Sequence, residues 1–142
     1  MTLVDANILI YAHNNLARHH QAARHWLQAA LDSGEQLGVS WVTLLAFLRI
    51  VTDPRAFLDP MSLEDASVIA AGWLEHPGLS ILHPTERHWP ILKRLVEESQ
   101  ARGPLVMDAH LAALAIEHGG ALCTTDKDFT RFKGLRLVNP LE

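Results

Sequence analysis

Four aspartates stand where the sequence could support chemistry. Asp126 and Asp128 lie in the stretch TTDKDF, directly after a short apolar run, and Asp5 follows the apolar run TLV. Asp108 leads the apolar stretch AHLAALA. Two full charges 4 Å apart repel by about 4 kcal/mol at an effective dielectric of about 20, so converging acids need raised pKa values or a cation. Oxygen ligands with few histidines or cysteines favour Mg²⁺ or Mn²⁺ over zinc, and such sites commonly serve phosphate chemistry.

The elements that carry these acids have to bring them together. Short apolar runs alternate with longer segments of helical period, and this pattern predicts an α/β domain with a mostly parallel sheet. Strands are expected in TLVD, QLGVS, LSILH, ALCTT and LRLVN. Ligands of such sheets gather beyond the carboxyl ends of the strands. Because Asp5 and Asp126 each follow a strand, they are predicted to face the same crevice.

Helices are predicted between the strands from periodicity and cap residues. The segment 16–31 places Leu16, His20, Ala23 and Leu27 on one face. The other helices are Trp41 to Val51, a segment capped by Ser62, a segment capped by Thr85 that reaches about Glu98, and GPLVMDAHLAALAIEHGG. In the last of these, Asp108 is expected near the positive helix start. The stretch DKDFTRF is expected to be a turn or a short helix.

Length and composition favour one globular domain over residues 1–142. The single cysteine, Cys123, excludes an internal disulfide and fits a reducing cytoplasm. The start, MTLVDANILIYA, has no basic leader. The longest uncharged run, around LGVSWVTLLAFL, is shorter than the roughly 20 residues that a spanning helix needs. The chain is therefore predicted to be soluble and cytoplasmic, with no membrane partner.

The positive charges are unevenly distributed. The net charge of −4 does not by itself point to nucleic-acid binding. Four cations nevertheless cluster near the C-terminal acids, namely Lys127, Arg131, Lys133 and Arg136. Alone, such a cluster is typical of a solvated face. Beside an anionic site for phosphate chemistry, we expect it to steer a nucleic-acid backbone.

The histidines offer a competing metal signal. His13, His19, His20 and His25 lie close together in sequence, but no acid or cysteine stands among them at the spacing of a zinc protease. A zinc site there is disfavoured. His110 follows Asp108 by two residues and points to a different helix face, so it is predicted to pack or to form a hydrogen bond.

The motifs LVDANILIYA, DAHLAALA and TTDKDF, in this order, resemble the PIN domain. More closely, the whole chain is similar to VapC-type toxins of bacterial toxin–antitoxin pairs. The resemblance implies a three-layer α/β/α fold around a parallel sheet. It also implies an endoribonuclease that depends on Mg²⁺ or Mn²⁺, a VapB-type antitoxin that blocks the site, and a homodimer or a toxin–antitoxin hetero-oligomer.

The resemblance assigns roles to individual residues. Asp5, Asp108 and Asp126 match the family's metal-binding acids, and Asp128 matches a frequent supporting acid that would position water or accept its proton. The predicted catalytic set is these four acids. They are expected to support metal-assisted hydrolysis of an RNA phosphodiester bond.

Three further residues match supporting positions of the family. Thr124 matches a hydroxyl near the site, and Asn7 a residue that orients Asp5. Arg49 matches an arginine that usually follows a glutamate by three residues, but the glutamate position is Ala46 here. Because a methyl group cannot bind a metal or its water, the substitution motivates an alternative: a catalytically inactive module that binds RNA or protein.

A third reading concerns the stretch DAN after the first strand. It faintly resembles phosphotransferases of the haloacid dehalogenase type, in which Asp5 would be a covalent nucleophile. That family has a second aspartate where this chain has Asn7. The sequence therefore disfavours this reading, and trapping of a phosphoaspartate at Asp5 would revive it.

Overall fold

The computed structural model of the protein describes residues 1–141. Its centre is a sheet of five strands in the order β3-β2-β1-β4-β5, and every neighbouring pair is parallel. The strands β1 to β5 are Thr2–Val4, Leu37–Val39, Leu79–Ile81, Ala121–Cys123 and Arg136–Val138. All five lie where the sequence predicts strands, so the predicted α/β fold with a parallel sheet is confirmed. The predicted single domain runs to residue 142, which lies outside the described residues.

Six α-helices and one 3-10 helix connect the strands in residues 1–141. The helices α1 to α6 are Ala6–His13, His20–Asp32, Trp41–Val51, Leu63–Glu75, His88–Ser99 and Pro104–Glu117, and the 3-10 helix is Lys127–Arg131. Ser62 caps α4, because its hydroxyl accepts a hydrogen bond from the Asp65 amide at 3.0 Å. The cap and the extent of α3 agree with the sequence prediction.

The sheet separates two hydrophobic cores, which makes the fold a three-layer α/β/α arrangement. Successive strand residues face opposite sides, so Val4 and Cys123 pack with α1 to α4, while Leu3 and Leu122 pack with α5, α6 and the 3-10 helix. All four of these strand residues are fully buried. A strand buried on both faces reads as an unbroken apolar run, which is why TLV and ALC carry no polar alternation.

The strand order places β1 and β4 side by side at the centre of the sheet. The chain builds outward from β1 through β2 to β3 in one direction and from β4 to β5 in the other. The boundary between β1 and β4 is therefore the point where the winding reverses, and a crevice forms at the carboxyl ends of these two strands. Asp5 directly follows β1, and Thr124 directly follows β4.

Two predicted helix starts are wrong. The helix expected over 16–31 begins at His20, and Leu16 is 87% exposed instead of facing the core. The segment around Leu16 forms a turn instead, because the Asn14 carboxamide accepts a hydrogen bond from the Leu16 amide at 3.2 Å. Thr85 does not cap α5: its hydroxyl accepts from the Arg87 amide, and the helix begins only at His88.

Two further differences concern the elements around the acids. Sequence reasoning did not predict α1, because ANILIYAH is apolar on most sides and lacks a clear helical period. Asp108 was expected near the helix start, but α6 begins at Pro104, which suits the first helical position. Asp108 therefore lies in the second turn, beyond most of the stabilisation that a helix N-terminus gives an acid.

Among the helices of residues 1–141, none combines the length and the apolar character needed to cross a membrane.

Candidate metal centre

Asp5 is held where β1 turns into α1. Its backbone is extended and it serves as the N-cap of α1, with the carboxylate accepting a hydrogen bond from the Ala6 amide at 2.7 Å. Its own amide donates to the Cys123 carbonyl at 3.0 Å, which continues the pairing of β1 with β4. The second carboxylate oxygen points across to the loop after β4.

The Thr124 hydroxyl connects the acids of the two central strands. It donates to the Asp5 carboxylate at 2.8 Å and accepts from the Asp126 amide at 3.0 Å. The Asn7 carboxamide also donates to it, at 3.3 Å. Asn7 therefore reaches Asp5 through Thr124 rather than directly. Because Thr124 is 4% exposed, water does not compete for these bonds.

The 3-10 helix Lys127–Arg131 is fixed by Asp126, which caps it. The Asp126 carboxylate accepts from the Asp128 amide at 2.9 Å. A 3-10 helix has three residues per turn, so Asp128 and Arg131 share one face. The Arg131 guanidinium donates to the Asp128 carbonyl at 3.1 Å and lies 3.9 Å from its carboxylate.

Asp108 completes the cluster from α6. One carboxylate oxygen each of Asp108, Asp126 and Asp128 lies within 4.8 Å of the others. Asp5 lies outside this group, although its charge acts on Asp108. Oxygen donors this close suit a hard divalent ion such as Mg²⁺ or Mn²⁺, which binds one or a few protein carboxylates and keeps several waters. The residues present therefore fit such a cation.

The electrostatics of the cluster follow from burial and from like charges. Burial raises the pKa of Asp108 to about 6, together with the charges of Asp126, Asp5 and Asp128, while Arg131 opposes the rise. Burial also raises the pKa of Asp5, against the Thr124 hydrogen bond that lowers it. Crowding of this kind stabilises any cation that enters and disfavours the fully ionised site without one.

Other predicted site residues form no hydrogen bond or ion pair with the acids among residues 1–141. Arg49 is exposed in the last turn of α3, and within residues 1–141 no hydrogen bond or ion pair joins its side chain to the acids. Ala46 is half-buried on the same helix. Lys133 is exposed in the turn before β5. The Arg136 guanidinium donates to the Gly119 carbonyl at 2.8 Å, at the amino end of the strands and away from the acids.

The histidines do not form a metal site. Among the residues that the structure describes, the Asp108, Asp126 and Asp128 cluster is the one group of three or more possible ligands. His20 instead donates from Nδ1 to the Tyr11 carbonyl at 2.8 Å.

Sequence reasoning missed a second carboxylate network, at the far end of α6. The Glu117 side chain is 2% exposed, and its carboxylate accepts hydrogen bonds from the Thr85 amide and from the His88 ring. His88 in turn bonds His110 at 3.0 Å, which confirms the predicted hydrogen-bonding role of His110. One signal could have revealed the network: Glu117 is the lone acid that follows Asp108 in an otherwise apolar helix.

Sequence comparison identifies related proteins over the full length of the chain. The sequence model of the PIN domain family matches residues 2–135. Ribonuclease VapC37 of Mycobacterium tuberculosis is 42% identical over 140 residues, which cover 99% of this chain and 97% of VapC37.

Structure comparison gives the same result at the level of the fold. VapBC2 from Rickettsia felis, bound to a DNA fragment from its promoter, aligns with a TM-score of 0.71 at 18% identity and covers 97% of both chains. VapC20 from Mycobacterium tuberculosis, described as a sarcin-ricin loop cleaving toxin, aligns with a TM-score of 0.68 at 18% identity. That alignment covers 96% of this chain and 99% of VapC20.

Proposed function

The chain belongs to the PIN domain family and, within it, to the VapC ribonucleases, and on this premise we propose a specific activity. The protein is the endoribonuclease toxin of a type II toxin–antitoxin pair, and it hydrolyses phosphodiester bonds of RNA with the help of Mg²⁺ or Mn²⁺. The observation that carries the proposal is the convergence of acids from β1, α6 and the loop after β4 on one crevice.

Each acid has a role that its position supports. Asp5, Asp108 and Asp126 would hold a divalent ion. Asp108 and Asp126 each place an oxygen within 4.8 Å of the other and of Asp128, and Asp5, outside that group, acts on Asp108 through its charge. Such an ion supplies positive charge to a phosphodiester and makes water a stronger nucleophile. Asp128 is exposed and caps no helix, so it orients the attacking water or accepts its proton.

The residues around the acids keep this arrangement rigid. Thr124 fixes Asp5 and the turn at Asp126 relative to each other, and Asn7 holds the Thr124 hydroxyl. Asn7 also carries a buried carboxamide oxygen without a hydrogen-bond partner among the described residues. Arg131, anchored on Asp128, presents a cation to the phosphate, and Lys127 and Lys133 extend the positive charge along the RNA. Arg136 lies at the opposite end of its strand and is left out of this path.

The partners follow from the same family. The structural neighbour from Rickettsia felis is VapBC2, and we infer that this chain is likewise inhibited by a cognate VapB-type antitoxin. The complex is a homodimer of toxin or a toxin–antitoxin hetero-oligomer. The protein acts in the cytoplasm, where cellular RNA is found.

Cleavage of a structured RNA mixture by the purified protein tests the proposal. The reaction is run with Mg²⁺, Mn²⁺ or EDTA, beside the Asp5→Asn and Asp108→Asn variants and with Asp65→Asn as a matched control on α4. We expect cleavage that needs the metal and is lost in both site variants but kept in the control. Cleavage that persists in both site variants or in EDTA contradicts the assignment of the acids.

Ala46 supports one alternative, in which the module binds RNA or protein but does not cleave. Relatives named ribonucleases at up to 42% identity favour the active protein. Binding of Mg²⁺ by calorimetry together with no cleavage of any RNA would favour the inactive module. In that case Ala46→Glu, which supplies the missing carboxylate, should create the activity.

A further inference from the structure

The 3-10 helix after β4 presents a third face that the acid site does not use. With three residues per turn, Phe129 and Phe132 share the face that is buried in the core, and Asp128 and Arg131 share the face at the acids. The remaining face carries Lys127 and Thr130. Lys127 and Thr130 therefore lie on a different side of the 3-10 helix from Asp128 and Arg131.

On that side lies a cavity of about 340 Å³. It is lined by the loop after β4, by Lys127 and Thr130, by Leu137 of β5 and by Asn139 beyond that strand. Asp126 also lines it, so the cavity shares one wall residue with the acid cluster. Its volume lies within the range of roughly 300–1,000 Å³ that is typical of pockets for small molecules.

The lining is mixed in chemistry. Leu137 is 38% exposed and gives the cavity an apolar wall. The Thr130 hydroxyl donates to the Lys127 carbonyl at 2.7 Å, so its oxygen has lone pairs left to accept a hydrogen bond. Lys127 is exposed and forms no ion pair among the described residues. The cavity thus combines an apolar surface, hydroxyl acceptors and one free ammonium group.

A nucleotide has the complementary groups. Its base offers a flat apolar face, its ribose and exocyclic amines offer hydrogen-bond donors, and its phosphate offers a negative charge. Proteins read single-stranded RNA through contacts of this kind, with unstacked bases in pockets and the 2′-hydroxyl as a donor that DNA lacks. A purely anionic ligand would be repelled by Asp126 at the cavity wall.

We propose that this cavity is the binding site for the ribonucleotide next to the bond that is cleaved. The base packs on Leu137, Thr130 accepts from a base amine or the 2′-hydroxyl, and Lys127 contacts the following phosphate. The inference rests on the proposed nuclease function and extends it, because it locates a residue set that selects the nucleotide beside the cut. Lys127 and Arg131 then act on different phosphates, from opposite sides of one 3-10 helix.

Binding and cleavage are measured separately to test the site. Binding uses fluorescence anisotropy of a random-sequence RNA hexamer with Ca²⁺ in place of Mg²⁺. We expect Leu137→Ala to weaken binding by about fivefold, since part of an apolar contact is lost. Leu137→Phe should bind the hexamer at least as tightly as the unaltered protein does, because an aromatic ring stacks on bases. Leu58→Ala, the same change at a fully exposed leucine, should bind as the unaltered protein does.

The cleavage products provide the second readout. Sequencing of the cut ends should show that Leu137→Phe changes the preferred base beside the cut, while Leu58→Ala leaves that preference unchanged. The proposed binding site is overturned if Leu137→Ala, Leu137→Phe and Leu58→Ala all have the RNA affinity and the base preference of the unaltered protein. This holds even if all of them cleave RNA efficiently. A hexamer that the unaltered protein does not bind also overturns it, and the cleavage assay then decides the nuclease function independently. The matching DNA hexamer should bind less tightly than RNA, and equal affinity excludes the role of the 2′-hydroxyl.

Discussion

The two carboxylates of α6, Asp108 and Glu117, differ in their surroundings. Asp108 belongs to the candidate metal centre, and Glu117 belongs to a buried hydrogen-bond network. Glu117 is 2% exposed, and burial raises its pKa, but hydrogen bonds from Thr85 and His88 outweigh burial and hold the pKa below its usual range. Asp108 is less buried, yet its pKa rises to about 6 because burial and three neighbouring acids act in the same direction. Burial is therefore the largest influence on both pKa values, and the neighbouring groups decide whether it is opposed, as at Glu117, or reinforced, as at Asp108.

The difference implies that the two ends of α6 contribute to different properties: Glu117 to the stability of the fold and Asp108 to the candidate metal centre. Glu117 is compensated within the protein, so its charge stabilises the packing of α5 against α6. The Asp108 carboxylate accepts no hydrogen bond among the described residues, and Arg131 is the one cation that lowers its pKa. Uncompensated charge of this kind is typical of functional sites, where a ligand supplies what the protein does not.

The largest expected contrast between the two regions is in activity. Asp108→Asn and Asp126→Asn should each lower the rate of RNA cleavage by at least about a thousandfold, because each removes a charge from a cluster that acts as a unit. Glu117→Gln should keep the rate per folded molecule. Single-turnover cleavage, normalised to the folded fraction by circular dichroism, measures both. Equal losses in the two regions would contradict the distinction.

The second contrast is in stability and has the opposite pattern. Glu117→Ala should lower the free energy of unfolding by about 3 kcal/mol at pH 7, because His88 and the Thr85 amide lose a buried partner. Since the native pKa of Glu117 is lowered, its contribution is present above the unfolded pKa and is lost as the pH falls through the native pKa. Urea denaturation measures the effect. Glu97→Ala, at a glutamate whose side chain is 66% exposed, is the control and should change stability little.

A third substitution tests the connection inside the acid site. Thr124→Val should cost about 2 kcal/mol, because it leaves the Asp126 amide and the Asn7 carboxamide without their buried acceptor. It also removes the hydrogen bond that lowers the pKa of Asp5. Thr124→Ser keeps the hydroxyl and should retain most of the stability in urea denaturation. A valine variant as stable as the serine variant would show that the hydroxyl bonds contribute nothing.

The smallest expected effect is a change in the free energy of unfolding at Asp108, and its sign is opposite to the change expected at Glu117. Without metal at pH 7.5, Asp108→Asn should raise the free energy of unfolding by about 1 kcal/mol after allowance for solvent screening. The native pKa is raised, so the native state binds more protons than the unfolded state between the ordinary value of 3.8 and about 6. The stability that this provides is lost as the pH rises through about 6. Urea denaturation in EDTA should therefore show the gain at pH 7.5 and none below about pH 4.

Much of the fold could be read from the sequence, because strands buried on both faces and cap residues leave local signals. The five apolar runs and the cap at Ser62 are of this kind. The acids Asp5 and Asp126 could be expected at one edge, since each follows a strand. Their assignment as metal ligands is still a prediction.

Other features depend on tertiary contacts that leave no local signal. The Glu117 network depends on tertiary partners, as does the division of the basic cluster between two ends of the sheet. Lys127 and Arg136 look equivalent along the chain. Lys127 lies in the 3-10 helix that follows β4, whereas Arg136 is at the amino end of β5. The periodicity of the sequence does not predict this difference in position.

The central position of β1 has a consequence for synthesis. Its neighbour β4 is separated from it by more than a hundred residues of chain, so the crevice joins two parts of the chain that are translated at well separated times. At about 5–20 residues per second, a ribosome adds Asp126 roughly 6–24 s after Asp5. Throughout that interval the nascent chain carries β1 without the strand that completes the acid cluster. Translation therefore completes the acid cluster only after Asp128 has been added.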